Sequence, residues 1–254
     1  MSRHERTVDK SSQRVQAMFG EIATKYDFLN NLLSVGLAKR WRRQFVKTVF
    51  ARLAERQNPV ATLRTLDVAT GTGDVVAEET RQWTRRKLAD KLRVKEFVPV
   101  GADFVPEMLA IARKKVPAVE FNHADGLALP YDDQSFDAVT VSFGLRNMAD
   151  PAKGVAEMAR VCRPGGVVAI LEFSPTKFPL FAPLFRFYFH FILPVVGNCV
   201  AKNKSDAYKY LPESVDAFDS PDKVLEYMRQ AGIENPVRRP MTFGVLGLFV
   251  GRKA

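Results

Sequence analysis

The sequence predicts an α/β fold on a mostly parallel sheet, and three observations lead there. From residue 60 onward, short apolar runs alternate with helical periods, which is the pattern of successive βα units. The stretch Leu66-Asp67-Val68-Ala69-Thr70-Gly71-Thr72-Gly73-Asp74 reads as a buried strand that enters a tight glycine turn and then a helix. Two closing runs, Val237 to Thr242 and Val245 to Arg252, read as an antiparallel hairpin that closes one edge of the sheet.

In sequence order, residues 1–56 form an N-terminal helical cap. Within it, 11–56 are amphipathic helices with Met18, Phe19, Ile22, Tyr26, Leu29, Leu32 and Leu33 as the apolar face. Residues 57–254 are the main domain. Its strands are expected at Thr65 to Ala69, Val98 to Asp103, Val119 to His123, Phe136 to Phe143 and Gly166 to Glu172. Pro106 to Lys115 reads as a helix with proline suited to its first turn, and Pro151 to Cys162 as another. Arg163-Pro164-Gly165-Gly166 then turns the backbone into the next strand. Residues 178–201, FPLFAPLFRFYFHFILPVVGNCVA, approach the length of a membrane span, but Arg186, His190, three interior prolines and Gly197 argue against spanning. They read as the heart of an apolar lid or interfacial insertion at about 176–215, with a buried helix as the alternative.

With 254 residues, 46% of them hydrophobic, the protein has enough apolar material to bury a sizeable core. Two cysteines, Cys162 and Cys199, imply no disulfide framework, and Met1 to Gly20 lack the apolar core of a signal peptide; a cytoplasmic location is expected. His4, His123 and His190 have no ligand spacing, so no metal site is expected. The net charge of +10 is clustered, in Lys39, Arg40, Arg42, Arg43 and Lys47 and again in Arg81, Arg85, Arg86, Lys87, Lys91, Arg93 and Lys95. Aromatic residues do not interleave with these blocks as a single-strand stacking platform needs. Attraction to an anionic membrane surface is therefore favoured over nucleic acid, with a solvated helix face as the bland alternative.

Two glycines two apart let the backbone bend and approach a ligand, and Thr72 and Asp74 add polar side chains. The third glycine of a dinucleotide fingerprint is missing, and Asp67 and Asp74 at the two ends disfavour a pyrophosphate, so a ligand with a cationic amino or sulfonium group suits the turn better. In an open α/β sheet the ligand lies beyond the carboxyl ends of the strands. Asp103 ends the second run, where a carboxylate can take both hydroxyls of a ribose; Asp125 and Gly126 end the third, where they can bind a base edge; Ser142 to Asn147, SFGLRN, end the fourth.

This succession resembles a Rossmann-like class I S-adenosylmethionine methyltransferase, and most closely the ubiquinone/menaquinone biosynthesis C-methyltransferases of the UbiE, MenG and COQ5 type. The pieces that carry the resemblance are MFGEIATKYDFLNNLLSVGLAKRW, LDVATGTGD, ADGLALPYDDQSFDAVTVSFGLRN, RVCRPGGVVAILEFS, YKYLPESV and MTFG, running from Met18 to the C-terminus, with SFGLRN and YLPESV the most specific. Two positions depart from the family pattern: Ala38 stands where a histidine is usual, and Cys162 where leucine or isoleucine is usual. The resemblance implies S-adenosyl-L-methionine as cofactor, held by Thr72, Asp103, Asp125, Gly126 and Ser142 and by Gly73 of the glycine turn, with Asp67 and Gly71 as second contributors near the methionine moiety. It implies C-methylation of a reduced prenylated quinone ring. Arg146 would then stabilise the phenolate, electrostatically or through a water relay, with a structural ion pair as its alternative role; Asn147, Tyr210, Tyr208 and Tyr26 would orient the ring. It also implies a peripheral position at the inner face of the cytoplasmic membrane, and a homodimer or a quinone-biosynthesis complex as partners. Competing readings are a methyltransferase for another small phenolic or lipid acceptor, and a nucleic-acid binder on the same scaffold.

Overall fold

The computed structural model describes residues 9–56, 60–85, 88–174, 187, 191 and 207–254. In sequence order the elements are α1 (Ser12–Leu33), α2 (Leu37–Leu53), β1 (Thr62–Val68), α3 (Asp74–Arg85), α4 (Leu88–Leu92), β2 (Glu96–Asp103), α5 (Pro106–Lys115), β3 (Glu120–His123), β4 (Phe136–Ser142), α6 (Pro151–Val161), β5 (Cys162–Phe173), α7 (Ala207–Asp216), α8 (Pro221–Gln230), β6 (Ile233–Met241) and β7 (Leu246–Lys253). The described strands form one sheet in the order β3-β2-β1-β4-β5-β7-β6. The first five run parallel, and β7 is antiparallel to both neighbours. This is the architecture expected from the alternation and the closing hairpin.

Period-two alternation along the strands supplies both sides of the sheet with apolar surface. On β5, Val168 and Ile170 join the layer made with Val155 and Met158 of α6 and Val224 and Met228 of α8. Val167, Ala169 and Leu171 face the opposite layer, with Phe45, Val49 and Phe50 of α2 and Val75 of α3. The helix termini are built from the residues the sequence offers: Pro106 and Pro151 stand in first turns, and the Asp150 side chain accepts from the Lys153 amide.

Several expected boundaries move. β5 begins at Cys162, and the Arg163-Pro164-Gly165-Gly166 turn is a bulge inside it, where Phe136 pairs with Cys162 but Ala138 with Val167. Gly165 supplies the φ of 72° that the bulge needs. On α1, Met18, Ile22 and Leu29 are buried, but Leu32 is 42% exposed. The helical period explains this, because Leu33 is one turn from Leu29, whereas Leu32 is one turn from the exposed Phe28. Of the apolar insertion 178–201, Cys199 included, only Phe187 and Phe191 are described, and both are exposed. Among the described residues no helix is long and apolar enough to cross a membrane, and no group of His, Cys, Asp and Glu is placed to hold a metal ion.

Candidate active site

The strand order reverses direction at β1, whose neighbours are β2 and β4. In an open α/β sheet the crevice for a ligand opens at that switch point. β1 reaches α3 through Ala69-Thr70-Gly71-Thr72-Gly73, in which Ala69, Gly71 and Gly73 take left-handed φ of 51°, 57° and 77°. The space where a Cβ would project from Gly71 is open to 4 Å, whereas at Gly73 a Cβ would stand 3.1 Å from Ala112 and 3.2 Å from Phe121. Gly71 thus leaves room above the turn, and Gly73 lets α3 close on α5. β4 ends in the same manner at Phe143, with φ of 60°. The following Gly144 comes so close to Ala69 that its Cβ would lie 2.5 Å from that of the alanine. A left-handed non-glycine residue costs about 1–3 kcal/mol and persists where the surroundings enforce it; here two of them flank the switch point.

The cleft above these loops spans about 770 Å³ of space between its walls, counted out into the solvent at its open mouth. Its floor is Gly71, Asp103, Asp125, Gly126, Ser142 and Asn147, and its roof is Val15, Phe19 and Tyr26 of α1 with Lys10 ahead of them. The Asp103 carboxylate accepts from the amides of Gly71 (2.7 Å) and Val105 (2.9 Å). Burial raises its pKa above the usual carboxylate range. Each oxygen keeps a lone pair for a ligand hydroxyl. Asp125 accepts from the Leu127 amide at 2.9 Å. Beside it, a Cβ on Gly126 would stand 2.8 Å from the Met148 methyl and 3.2 Å from a Val68 methyl, so a larger residue there would make the flexible end of Met148 shift. Ser142 Oγ is buried without a hydrogen-bond partner among the described residues. A buried polar group of this kind at a cleft wall suits a ligand that supplies the partner.

Asp67, Thr72 and Gly73 stand behind this lining. Asp67 accepts hydroxyl hydrogen bonds from Thr70 and Thr140, each at 2.7 Å. Thr72 donates to Asp27 of α1 at 2.5 Å and accepts from Lys115 of α5 at 3.0 Å. Lys115 also bridges Asp27 and Asp74, and Asp74 pairs with Arg42 of α2 at 2.9 Å. The acidic ends of the glycine turn are therefore compensated before a ligand arrives. Asp74 is ion-paired, and burial pushes the Asp67 pKa up to about 7.

Beneath the turn a second buried acid, Glu79, accepts from the Thr65 hydroxyl at 3.0 Å, while its Oε1 has no partner among the described residues. Burial, with Asp67 as a like charge nearby, pushes its pKa up to about 8 from an ordinary 4.5. Between about pH 4 and pH 8 the folded protein then holds protons on Asp67 and Glu79 that the unfolded protein has already released, so this pair destabilises the fold progressively as pH rises through that window. Glu79→Gln is expected to raise the urea midpoint relative to the parent at pH 8.5 and to give no gain at pH 5. A difference independent of pH would contradict the assignment.

A second cavity lies on the other side of the α1 roof. It is lined by Met18, Ile22, Leu29 and Leu33 of α1, Tyr210 and Leu211 of α7, and Arg146; Phe19 and Tyr26 face both cavities. Arg146 is 5% exposed and pairs at 2.9 Å with Glu172, which is fully buried at the end of β5. Its guanidinium also donates to the Phe143 carbonyl (2.5 Å) and to Ser214 Oγ (3.4 Å), and lies 5.4 Å over the Phe173 ring. Asn147 accepts from the Tyr210 hydroxyl at 3.2 Å and donates to the Phe143 carbonyl at 3.3 Å. Arg146, Asn147 and Tyr210 are thus brought together where the two cavities approach. Glu172, which orients the arginine, is absent from the candidates of the sequence; its position at the carboxyl end of the fifth strand is the signal that finds it.

Comparison with known proteins places this geometry. Residues 7–253 match the model of the ubiE/COQ5 methyltransferase family. The demethylmenaquinone methyltransferase of Deinococcus radiodurans is 44% identical over 95% of this chain and 93% of its own length. That of Thermus thermophilus is also 44% identical, over 92% and 99%. The ubiquinone/menaquinone biosynthesis C-methyltransferase UbiE of a Geobacter species is 40% identical over 97% and 99%. Among solved structures, a SAM-dependent methyltransferase of Thermotoga maritima superposes with a TM-score of 0.59 at 19% identity, covering 94% of this chain and 99% of that one. A likeness at that identity speaks to the fold, and the fold is that of the SAM methyltransferases. On the extent of the family match and the identity to relatives of the same length, the chain belongs to the ubiE/COQ5 methyltransferase family.

Proposed function

We propose that the protein methylates a ring carbon of a reduced, prenylated quinone, demethylmenaquinol or its ubiquinol-pathway counterpart, with S-adenosylmethionine as methyl donor. The observation that carries this reading is the pair of neighbouring cavities that share Phe19 and Tyr26, one floored by strand-end carboxylates and reaching Asn147, the other reaching Arg146 past Met18, Ile22, Leu29 and Leu33 and suited to a ring with a greasy tail. Asp103 would take the ribose hydroxyls, Asp125 and Gly126 the base edge, and Ser142 and Gly71 the remaining polar groups, while Asp67, Thr72 and Gly73 hold the turn in shape. Bound there, S-adenosylmethionine supplies an electrophilic methyl group.

Carbon becomes nucleophilic when the hydroxyl beside it ionises. The Arg146 guanidinium offers donors and no acceptor, so it stabilises the phenolate rather than taking the proton, which leaves to water. Glu172 holds the guanidinium in one orientation. Asn147 and Tyr210, bonded to each other, position the ring. α1 excludes water from the reacting atoms. The new C–C bond forms as the C–S bond breaks, and loss of the ring proton to water restores aromaticity. The passage and the cationic surface fit a peripheral enzyme at the inner face of the cytoplasmic membrane.

Transfer of a labelled methyl group to short-tailed demethylmenaquinol and to the demethylated ubiquinol precursor, both kept reduced, tests the reading. Methylation of either supports it and identifies the pathway; cofactor binding without transfer to either moves the acceptor elsewhere.

A further inference from the structure

The solvent-facing stripe of α1 changes character along the helix. Its middle carries the exposed Glu21 and Thr24, and its end carries Phe28 and Leu32, followed by Val35 in the turn to α2. These three apolar side chains are 60%, 42% and 79% exposed and spaced one helical turn apart. Val35 also stands at φ of 51°. A β-branched residue in the left-handed region is an outlier that costs stability, and here no burial of Val35 offsets it. The turn that displays it is fixed by amide bonds from Ser34, Val35 and Gly36 to the last carbonyls of α1.

From the knob through α2 the charge has one sign, and Asp27 just before Phe28 is paired with Lys115. No Asp or Glu occurs from Phe28 to Ala54, and Lys39, Arg40, Arg43 and Lys47 of α2 are exposed. Arg42 is paired with Asp74 and is not counted among them. An apolar protrusion followed by a cationic helix matches the cross-section of an anionic bilayer, with phenyl and alkyl groups at the acyl boundary and cations at the headgroups. The apolar residues Leu29 and Leu33 on the neighbouring stripe of the same helix end line the passage that leads to Arg146 and Tyr210.

We infer that the α1–α2 turn is a membrane-docking wedge for an anionic lipid surface, in which Phe28, Leu32 and Val35 insert, Lys39, Arg40 and Arg43 bind headgroups, and the passage beneath opens toward the bilayer. The wedge is independent of the proposed reaction; its use as the access route of a prenylated acceptor rests on that reading.

Flotation of the full-length protein with phosphatidylcholine vesicles, with and without phosphatidylglycerol, tests it. Two variants are compared: Phe28→Ser with Val35→Asn, since asparagine tolerates left-handed backbone, and Lys39→Gln with Arg40→Gln and Arg43→Gln. The parent is expected to float with the anionic vesicles, the apolar variant to partition about tenfold or more weakly, and the charge variant to lose its preference for phosphatidylglycerol. Both variants are expected to keep the parent's circular dichroism and its turnover of a short-tailed hydroquinone in solution. A parent that fails to float, an apolar variant that floats like the parent, or self-association of the parent through this turn without vesicle binding overturns the wedge. Flotation that the variants lose, in a protein that methylates neither quinone, leaves the wedge standing and removes the reaction.

Discussion

Arg146→Ala is expected to lower the unfolding free energy by about 3–5 kcal/mol, the cost of leaving a buried carboxylate without its partner. Glu172 is fully buried, and with the guanidinium removed its remaining donors are the amides of Arg146 and Phe173. The same substitution is expected to reduce turnover at least about 100-fold, the scale for losing one donor to a developing oxyanion, while leaving cofactor affinity within a few fold. Stability alone therefore does not separate the two roles of the residue. Arg146→Gln with Glu172→Gln removes both charges and is expected to recover much of the stability in urea unfolding but none of the turnover. Recovery of both would make Arg146 a structural ion pair and nothing more. Arg146→Lys keeps the charge but not the fork that reaches Glu172, Phe143 and Ser214 together, and is expected to fall between.

Asp103→Ala is expected to weaken cofactor binding about 100-fold, as two hydrogen bonds to a carboxylate are worth roughly 1.5–3 kcal/mol each and part of that is regained by water. The substitution also frees the Gly71 amide, so the turn loses one of the contacts that tie it to the end of β2 and keeps the bond from the Thr70 amide to the Ala102 carbonyl. Turnover at saturating cofactor is expected to remain within several fold, because the proposed role sets the carboxylate at the ribose and not at the reacting carbon. Titration calorimetry with S-adenosylmethionine and its demethylated product gives the affinity, and a change below about threefold would remove Asp103 from the site.

The parts of this protein that the sequence discloses are those set by near neighbours. Strand alternation, the glycine turn after β1 and the proline starts of α5 and α6 depend on residues a few positions apart, and the strand-end rule then points to Asp103, Asp125 and Ser142 around one cleft. What escapes it is decided by distant partners. Thr72 lies in the glycine turn and reads as a ligand contact, yet its hydroxyl is engaged by Asp27, 45 residues away. Asp74 looks like a charge offered to a ligand until Arg42 and Lys115 are placed against it. Leu32 scores as core by composition, but its stripe of the helix faces outward. The Arg163-Pro164-Gly165-Gly166 turn chemistry is real and is absorbed as a bulge, because Phe136 reaches Cys162 across the sheet.

Phe19 and Tyr26 belong to the walls of both cavities. A residue shared in this way cannot be reshaped for one occupant alone. On the proposed assignment, a change that widens the second cavity for a bulkier ring would also move the ceiling over the donor, so acceptor range and donor affinity would be inherited together. Diversification toward new acceptors would then be confined to positions such as Leu29, Leu33 and Leu211, which line the second cavity and not the first.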